Sequence, residues 1–259
     1  MRILIAIVLG FFALTTVARA ADGGVLVLGG TGQLGSEIVK VLAAAGEDVS
    51  VLVRPTSDRA RLAGIAVTYV TGDMVADADM ERVFKGTKYR AVIDASSAAF
   101  SGSQDFYEKS QLIVSKWAAA TGVGQLILHG AIGAGDSASL INVEKAFPVQ
   151  RQAIASKTVA EEILIGSGVP YTIIRHLTLL PMEVKESGRA RLSKDRTAVG
   201  AITRDGLARL TRECLGNPDC LNVVFHAVDD EVELSDRVLD SWRNVIKPAY
   251  LPARAAVQR

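Results

Sequence analysis

A doubly wound parallel α/β sheet is the fold class that the sequence predicts, and three observations predict it. Short apolar runs alternate with segments of helical periodicity from Val25 to Arg175. The first of these runs ends in a glycine-rich turn that leads straight into a helix. The chain has 259 residues, 49% of them hydrophobic, enough for one large α/β domain or one domain with a small appended lobe.

The opening unit carries the most chemistry. Val25-Leu26-Val27-Leu28 reads as a short buried strand, Ser36 to Ala45 as an amphipathic helix, and Gly46 as its stop. Between them lies Gly29-Gly30-Thr31-Gly32-Gln33-Leu34-Gly35. Gly29 and Gly30 are expected to allow the sharp reversal, Gly32 to let the backbone approach a pyrophosphate, and Gly35 to let the helix pack on the strand. The phosphates then sit at the helix N-terminus, where free N–H groups and the helix dipole favour negative charge. Glycine turns also close ordinary strand–helix junctions, but here the flanking strand and helix supply the context that a dinucleotide site requires.

The second strand is Val49 to Val53, ending at Arg54-Pro55-Thr56-Ser57. A carboxylate at this point binds a ribose 2′-hydroxyl, whereas an arginine accommodates a 2′-phosphate. Arg54 stands there without a carboxylate, its guanidinium can fork two phosphate oxygens, and Ser57 and Arg59 are close in sequence. NADP is the expected cofactor and NAD the alternative; the plain reading of Arg54 is a solvated surface arginine. Ala66 to Val70 is the third strand, and Gly72-Asp73 follows, with Asp73 placed to cap a helix around Asp77 to Phe84. Ala91 to Ala95 is the fourth strand; the small residues Ser96, Ser97, Ala98 and Ala99 at its end leave room for ribose and nicotinamide.

A long helix covers roughly Phe106 to Thr121, the fifth strand is Gln125 to His129, and the sixth is Tyr171 to Arg175. Tyr107 reads as a packing residue of that helix and an outside candidate for chemistry. His129 and His176 end up where doubly wound sheets bind ligands. Each is either a proton donor near neutral pH or a histidine satisfied by a backbone carbonyl. Beyond Pro181 the alternation weakens. Glu183 to Lys194 reads as a polar loop, Thr203 to Cys214 as a helix, Leu221 to Val228 as a strand and Ser235 to Ile246 as a final helix. Pro248 to Arg259 has two prolines and no pattern, and reads as a loose tail.

The first twenty residues stand apart. Arg2 is a minimal positive region, Ile3 to Leu14 is almost wholly apolar, and Ala18-Arg19-Ala20 offers small residues where a signal peptidase reads them. The run is short for a membrane span. A cleaved secretory signal is the expectation, an uncleaved anchor the second reading and a buried N-terminal helix the third. That divides the chain into a signal (1–20), a dinucleotide-binding domain (21–180), and a small C-terminal lobe and tail completing the same domain (181–259). The only cysteines, Cys214 and Cys220, flank a Gly-Asn-Pro turn. In an oxidising compartment they read as a local disulfide; otherwise they are two buried thiols. No metal site is expected there, since only His226 lies nearby in sequence. With 29 basic and 28 acidic residues and no charge run, nucleic acid is not an expected partner.

The run GGTGQLG resembles that of the atypical short-chain dehydrogenase/reductases, in particular their NmrA-like, NAD(P)H-binding branch. Lys157-Thr-Val-Ala160-Glu161-Glu-Ile-Leu164, followed by Ser167-Gly168-Val-Pro-Tyr171-Thr-Ile-Ile-Arg175, resembles the family's K-x-x-A-E-x-x-L and S-G-x-x-Y-T-I-x-R stretches. The likeness runs from about Val25 to Val228 and implies a Rossmann fold with a small C-terminal substrate lobe. It further implies Asp73 beside the adenine ring, Arg54 in the slot of NADP-preferring members, and Lys157 at the nicotinamide ribose. Ser96 joins the cofactor-binding set.

In catalytic members a tyrosine four residues before the lysine donates a proton, and a serine positions the carbonyl. Here Ala153 stands at the tyrosine position, Gly130-Ala131-Ile132-Gly133-Ala134 replaces S-S-x-G-A, and His176 replaces the proline after the arginine. The leading expectation is an oxidoreductase that moves hydride to a small acceptor, such as a quinone or carbonyl, without the usual tyrosine. The second is a non-catalytic dinucleotide-binding sensor or assembly factor. The third is an exported protein that has lost its nucleotide.

Overall fold

The computed structural model describes residues 23–98, 105–142, 145 and 148–251. The signal expected over residues 1–20, the small residue Ala99 and the tail beyond Leu251 lie outside the described residues. Strands β1 (Gly24–Leu28), β2 (Val49–Val53), β3 (Thr68–Thr71), β4 (Tyr89–Asp94), β5 (Gln125–Ala131) and β6 (Tyr171–His176) alternate with helices α1 (Gln33–Ala44), α2 (Asp77–Gly86), α3 (Phe106–Thr121) and α4 (Pro148–Gly166). After them come β7 (Thr178–Leu179), β8 (Arg191–Ser193), β9 (Ala201–Ile202), α5 (Arg204–Cys214), β10 (Val223–Val228) and α6 (Asp236–Val245). The main sheet runs β3-β2-β1-β4-β5-β6-β10-β8, and β7 pairs with β9 apart from it. Every main-sheet pairing is parallel except β10 with β8. The expected doubly wound Rossmann sheet is the observed one. Its order reverses between β1 and β4, and a crevice opens beyond the strand ends at such a point.

Residues along each strand point alternately to opposite faces, so the apolar runs divide into two cores. Val25, Val27, Val51, Ile93, Ile127 and Ile174 face α1 and α5, meeting Leu34, Ile38, Val39, Leu42, Leu207 and Leu210. Leu26, Leu28, Leu52, Val92, Leu126 and Ile173 face the other way, onto Met80 and Phe84 of α2, Val114 and Trp117 of α3, and Leu164 of α4. Each such side chain contributes roughly 1.5–3 kcal/mol by leaving water. A third cluster gathers Ile132, Ile141, Leu180, Val199, Trp242 and Ile246 around β7, β9 and α6.

Several boundaries differ from the sequence expectation, each for a local reason. β3 starts at Thr68 because Ile65 is spent on a turn, its N–H bonded to Leu62 O, and pairing with β2 begins at Thr68. The polar stretch from Glu183 to Lys194 is not all loop: β8 lies within it, antiparallel to β10, as a short charged edge strand. Asn222 takes a left-handed φ of 57°, so β10 begins at Val223, two residues after the expected Leu221. Tyr250 and Leu251 pack on the third cluster, so the tail is anchored at least to Leu251.

Cys214 and Cys220 are joined by a disulfide. The carbonyl of Cys214 accepts from Gln125 Nε2 at 2.9 Å, and that of Cys220 from Thr172 Oγ1 at 2.7 Å, so the closed loop is fixed to the starts of β5 and β6. For so short a loop the stabilisation is about 2 kcal/mol. Replacing both cysteines by serine lowers the urea midpoint accordingly, and reductant lowers the midpoint of the wild type but not of the double variant.

Candidate functional site

The glycine turn forms a cradle built of backbone. Gly29 takes φ +70°, and a Cβ on it would stand 2.6 Å from Ser96 Cα, so the turn after β1 lies directly on the chain leaving β4. Gly30 does not serve the reversal: its Cβ would meet Val51 Cγ1 at 2.7 Å and Val39 Cγ2 at 3.2 Å, and the core keeps it bare. A Cβ on Gly35 would run into the carbonyl of Gly29. Gly32 is different. It is the N-cap of α1, and a Cβ there would meet only Gly29 O, at 3.1 Å, and otherwise open space.

The first bond inside α1 runs from Ser36 N–H to Gly32 O at 2.9 Å, so the amides of Gln33, Leu34 and Gly35 precede it. The first turn holds no acidic residue. Thr31 and Gln33 flank this end at the surface, while the Leu34 side chain is buried in the core and offers only its amide. Bare glycine, free amides and no carboxylate fit a pyrophosphate.

Arg54 follows β2 with an exposed side chain, and its N–H donates to Ser57 Oγ at 2.9 Å, folding the two into one turn. Arg59 is held elsewhere, its guanidinium 4.6 Å above the Tyr69 ring. Asp73 does not cap α2, whose N-cap is Ala76. Its carboxylate accepts from Val75 N–H at 3.1 Å, and its own N–H donates to Asp79 Oδ2 at 3.0 Å.

Across the switch point, buried Asp94 ends β4 and accepts the Ser96 N–H at 2.9 Å. Burial pushes its carboxyl up, against the Ser96 bonds and the charge of Lys157. Lys157 rises from α4: Nζ donates to His129 O at 3.2 Å and sits 4.2 Å above the Tyr107 ring. A cavity of about 10 Å³ beneath it is lined by Asp94, Tyr107, Gln111, His129 and Glu161, among others.

His129 has a defined tautomer. Thr211 gives its hydroxyl proton to Leu207 O at 2.7 Å, so its oxygen accepts from His129 Nε2–H at 3.2 Å. Burial, helped by Lys157, pushes His129 down to about 3, leaving a neutral ring with a bare Nδ1 that has no partner among the described residues. Burial also holds His176 well below the usual range, and its Nδ1 is unpartnered too; the ring centroids are 6.4 Å apart. Burial thus disfavours the protonated form of both rings in the free protein.

The loop after β5 is shaped by a buried ion pair. Glu161, one helical turn beyond Lys157, receives Arg175 Nε at 3.1 Å and Nη2 at 2.6 Å. Burial pushes the Glu161 carboxyl up against these bonds. Arg175 also reaches Asp136, which Arg196 holds from the other side at 3.0 Å. A Cβ on Gly130 would stand 2.6 Å from Glu161 Oε1, and one on Gly135 would collide with Arg175. A side chain at position 130 would thus press on the ion pair. Ser137, a hydroxyl further along the loop, is turned inward, accepting from Gly133 N–H and donating to Ala134 O. The helical spacing of Lys157 and Glu161 was the sequence signal for this arrangement.

Two consequences are measurable. Gly130→Ser, though it restores the family's residue, costs about 1–3 kcal/mol by overpacking against Glu161, read as a lowered urea midpoint. Between its ordinary 6.5 and about 3, His129 binds a proton when unfolded but not when folded. Stability is therefore full above pH 6.5 and falls as pH drops below it; His176 and His226 act in the same direction. At pH 5 the His129 share reaches up to about 2 kcal/mol, and His129→Asn shows a shallower loss of stability between pH 7 and 5.

A family model described as NAD(P)H-binding matches residues 29–218. None of the curated proteins matches the chain. Among solved structures, the fold is similar to that of ChuY, an anaerobillin reductase from Escherichia coli O157:H7, with 23% identity and a TM-score of 0.71 over 82% of this chain and 100% of that one. WbmH of Bordetella bronchiseptica, solved with NAD+, is 17% identical with a TM-score of 0.62, over 85% of this chain and 79% of its own. A short-chain dehydrogenase/reductase from Veillonella parvula, solved with NADP, is 13% identical with a TM-score of 0.62, over 82% and 97% of the two chains. With the cradle at the switch point and a family model spanning most of the chain, this protein belongs to the NAD(P)H-binding family of Rossmann-fold proteins.

Proposed function

We propose that the protein is an NADPH-dependent reductase of a small carbonyl- or quinone-bearing acceptor. The observation that carries this reading is the open cradle at Gly32 together with an exposed, carboxylate-free Arg54 at the end of β2. The amides of Gln33, Leu34 and Gly35 receive the pyrophosphate, and Arg54 with Ser57 receives the 2′-phosphate. Asp73 faces the adenine edge, Ser96 borders the ribose, and Lys157, steadied by the His129 carbonyl, holds the nicotinamide ribose. The neutral rings of His129 and His176 orient groups at that end of the site. Bound reduced nicotinamide supplies a hydride. The reductase named for ChuY and the NADP seen with the Veillonella protein support the same assignment.

The bare positions Ala153 and Gly130 favour a second reading, a dinucleotide-binding sensor or assembly factor. We further place the protein outside the cytoplasm, exported by residues 1–20 or held by them as an anchor. The Cys214–Cys220 disulfide suits an oxidising compartment and supports that placement.

Titration with NADPH and NADH, read by nicotinamide fluorescence, tests the cofactor assignment. NADPH binds the more tightly, and Arg54→Ala removes about tenfold or more of that preference, the worth of a charge-assisted phosphate contact. Gly32→Val weakens both nucleotides. Binding of neither would leave an exported Rossmann domain with another ligand; equal binding, indifferent to Arg54, would remove the NADP preference alone.

A further inference from the structure

We propose that Tyr107 is the proton donor that the chain lacks at Ala153, working as a trio with Ser97 and Lys157. The inference rests on the reductase reading above. The three residues come from separate elements: Ser97 from the chain leaving β4, Tyr107 from the first turn of α3, and Lys157 from α4. The phenol oxygen lies 3.4 Å from Ser97 Oγ, and the Lys157 ammonium is 4.2 Å from the centre of the phenol ring. A serine, a phenol and an ammonium, two of them absent from their usual positions in this family, are thus brought together again.

The hydrogen bonding leaves the phenol its proton. Its oxygen accepts from Ala98 N–H at 3.2 Å, and Ser97 Oγ, at 3.4 Å, is at the long end of hydrogen-bonding distance. Ser97 Oγ gives its own proton to Ala98 O at 3.4 Å, so the phenol O–H is turned to Ser97 Oγ, in a long bond that an acceptor oxygen can displace. When the proton leaves, the charge on the phenol oxygen keeps the Ala98 amide as donor and the Lys157 ammonium close by. Packing accounts for the ring, which meets Phe106 edge-on at 5.4 Å, but not for the place of the hydroxyl. Ser97 is exposed and the phenol half-buried, so an acceptor can reach the O–H. Ser96, one residue before Ser97, lies against Gly29, which puts the phenol at the same strand ends as the cradle.

The step balances. The acceptor's carbonyl carbon gains a C–H bond with the hydride of a reduced nicotinamide dinucleotide, and its C=O π pair moves to oxygen. That oxygen takes the Tyr107 proton, and the phenolate regains a proton from water. The products are an alcohol and the oxidised dinucleotide.

The test uses the full chain with NADPH and phenanthrenequinone as a carbonyl probe. Tyr107→Phe lowers kcat about 10²- to 10⁴-fold, the range for removing a general acid, while NADPH affinity stays within about threefold. Independently of turnover, tetranitromethane nitrates Tyr107 in the free protein, as read by peptide mass, and NADPH protects it. A Tyr107→Phe protein that turns over at the wild-type rate overturns the proton role alone, as does nitration that NADPH leaves unchanged. A wild type that binds NADPH yet oxidises it with no carbonyl or quinone overturns the reductase reading, and the proton role with it.

Discussion

The buried pair of Glu161 and Arg175 is the constraint on which this site depends. Both side chains are almost fully excluded from water, and the geometry is bidentate. Removing one partner from such a pair leaves an uncompensated buried charge, at a cost of about 3–5 kcal/mol. What it fixes matters more than its energy. Arg175 stands on β6 and Glu161 on α4, so the pair sets the height of α4 against the sheet and, one turn away, the position of Lys157. Because the carboxylate and guanidinium fill the space above Gly130 and Gly135, the end of β5 and the loop after it are bare there.

The cradle at the other strand ends is built on a different principle. Its recognition surface is peptide backbone, and its glycines divide the work. Gly29, Gly30 and Gly35 are bare because neighbouring atoms crowd them, whereas Gly32 is bare toward solvent. Only at Gly32 does the open space have no structural explanation within the chain, and only there does it face the free end of α1. Side chains enter later, at the rim, where Arg54 and Ser57 form one turn.

How much of this was legible in the sequence follows from distance along the chain. Strand, glycine turn and helix are contiguous, so the turn and Arg54 after the second strand could be read directly, and the short apolar runs marked β1 to β6 as buried strands. The three-residue β8 was not legible, because its pairing is dictated by the open edge of β10 rather than by any pattern of its own. The crowding around Gly130 was not legible either, because Glu161 and Arg175 are remote from it in sequence. The two histidines were placed at the right strand ends, but their charge state depends on burial and on Thr211, which no local motif reveals. Tyr107 was read as a packing residue and only an outside candidate for chemistry, because its partners Ala98 and Lys157 are joined to it only by the fold.

The pairing of α1 with α5 bears on how the chain acquires its structure. The apolar stripe of the first helix, Ile38, Val39 and Leu42, belongs to one core with Leu207, Ala208 and Leu210, supplied near the other end of the sequence. A growing chain cannot cover that stripe until α5 has emerged, and the disulfide that closes α5 onto the strand starts comes later still. Closing so long a loop before its contacts repay the entropy makes assembly of this half slow. Until then a Val-, Ile- and Leu-rich surface stays exposed on the first helix.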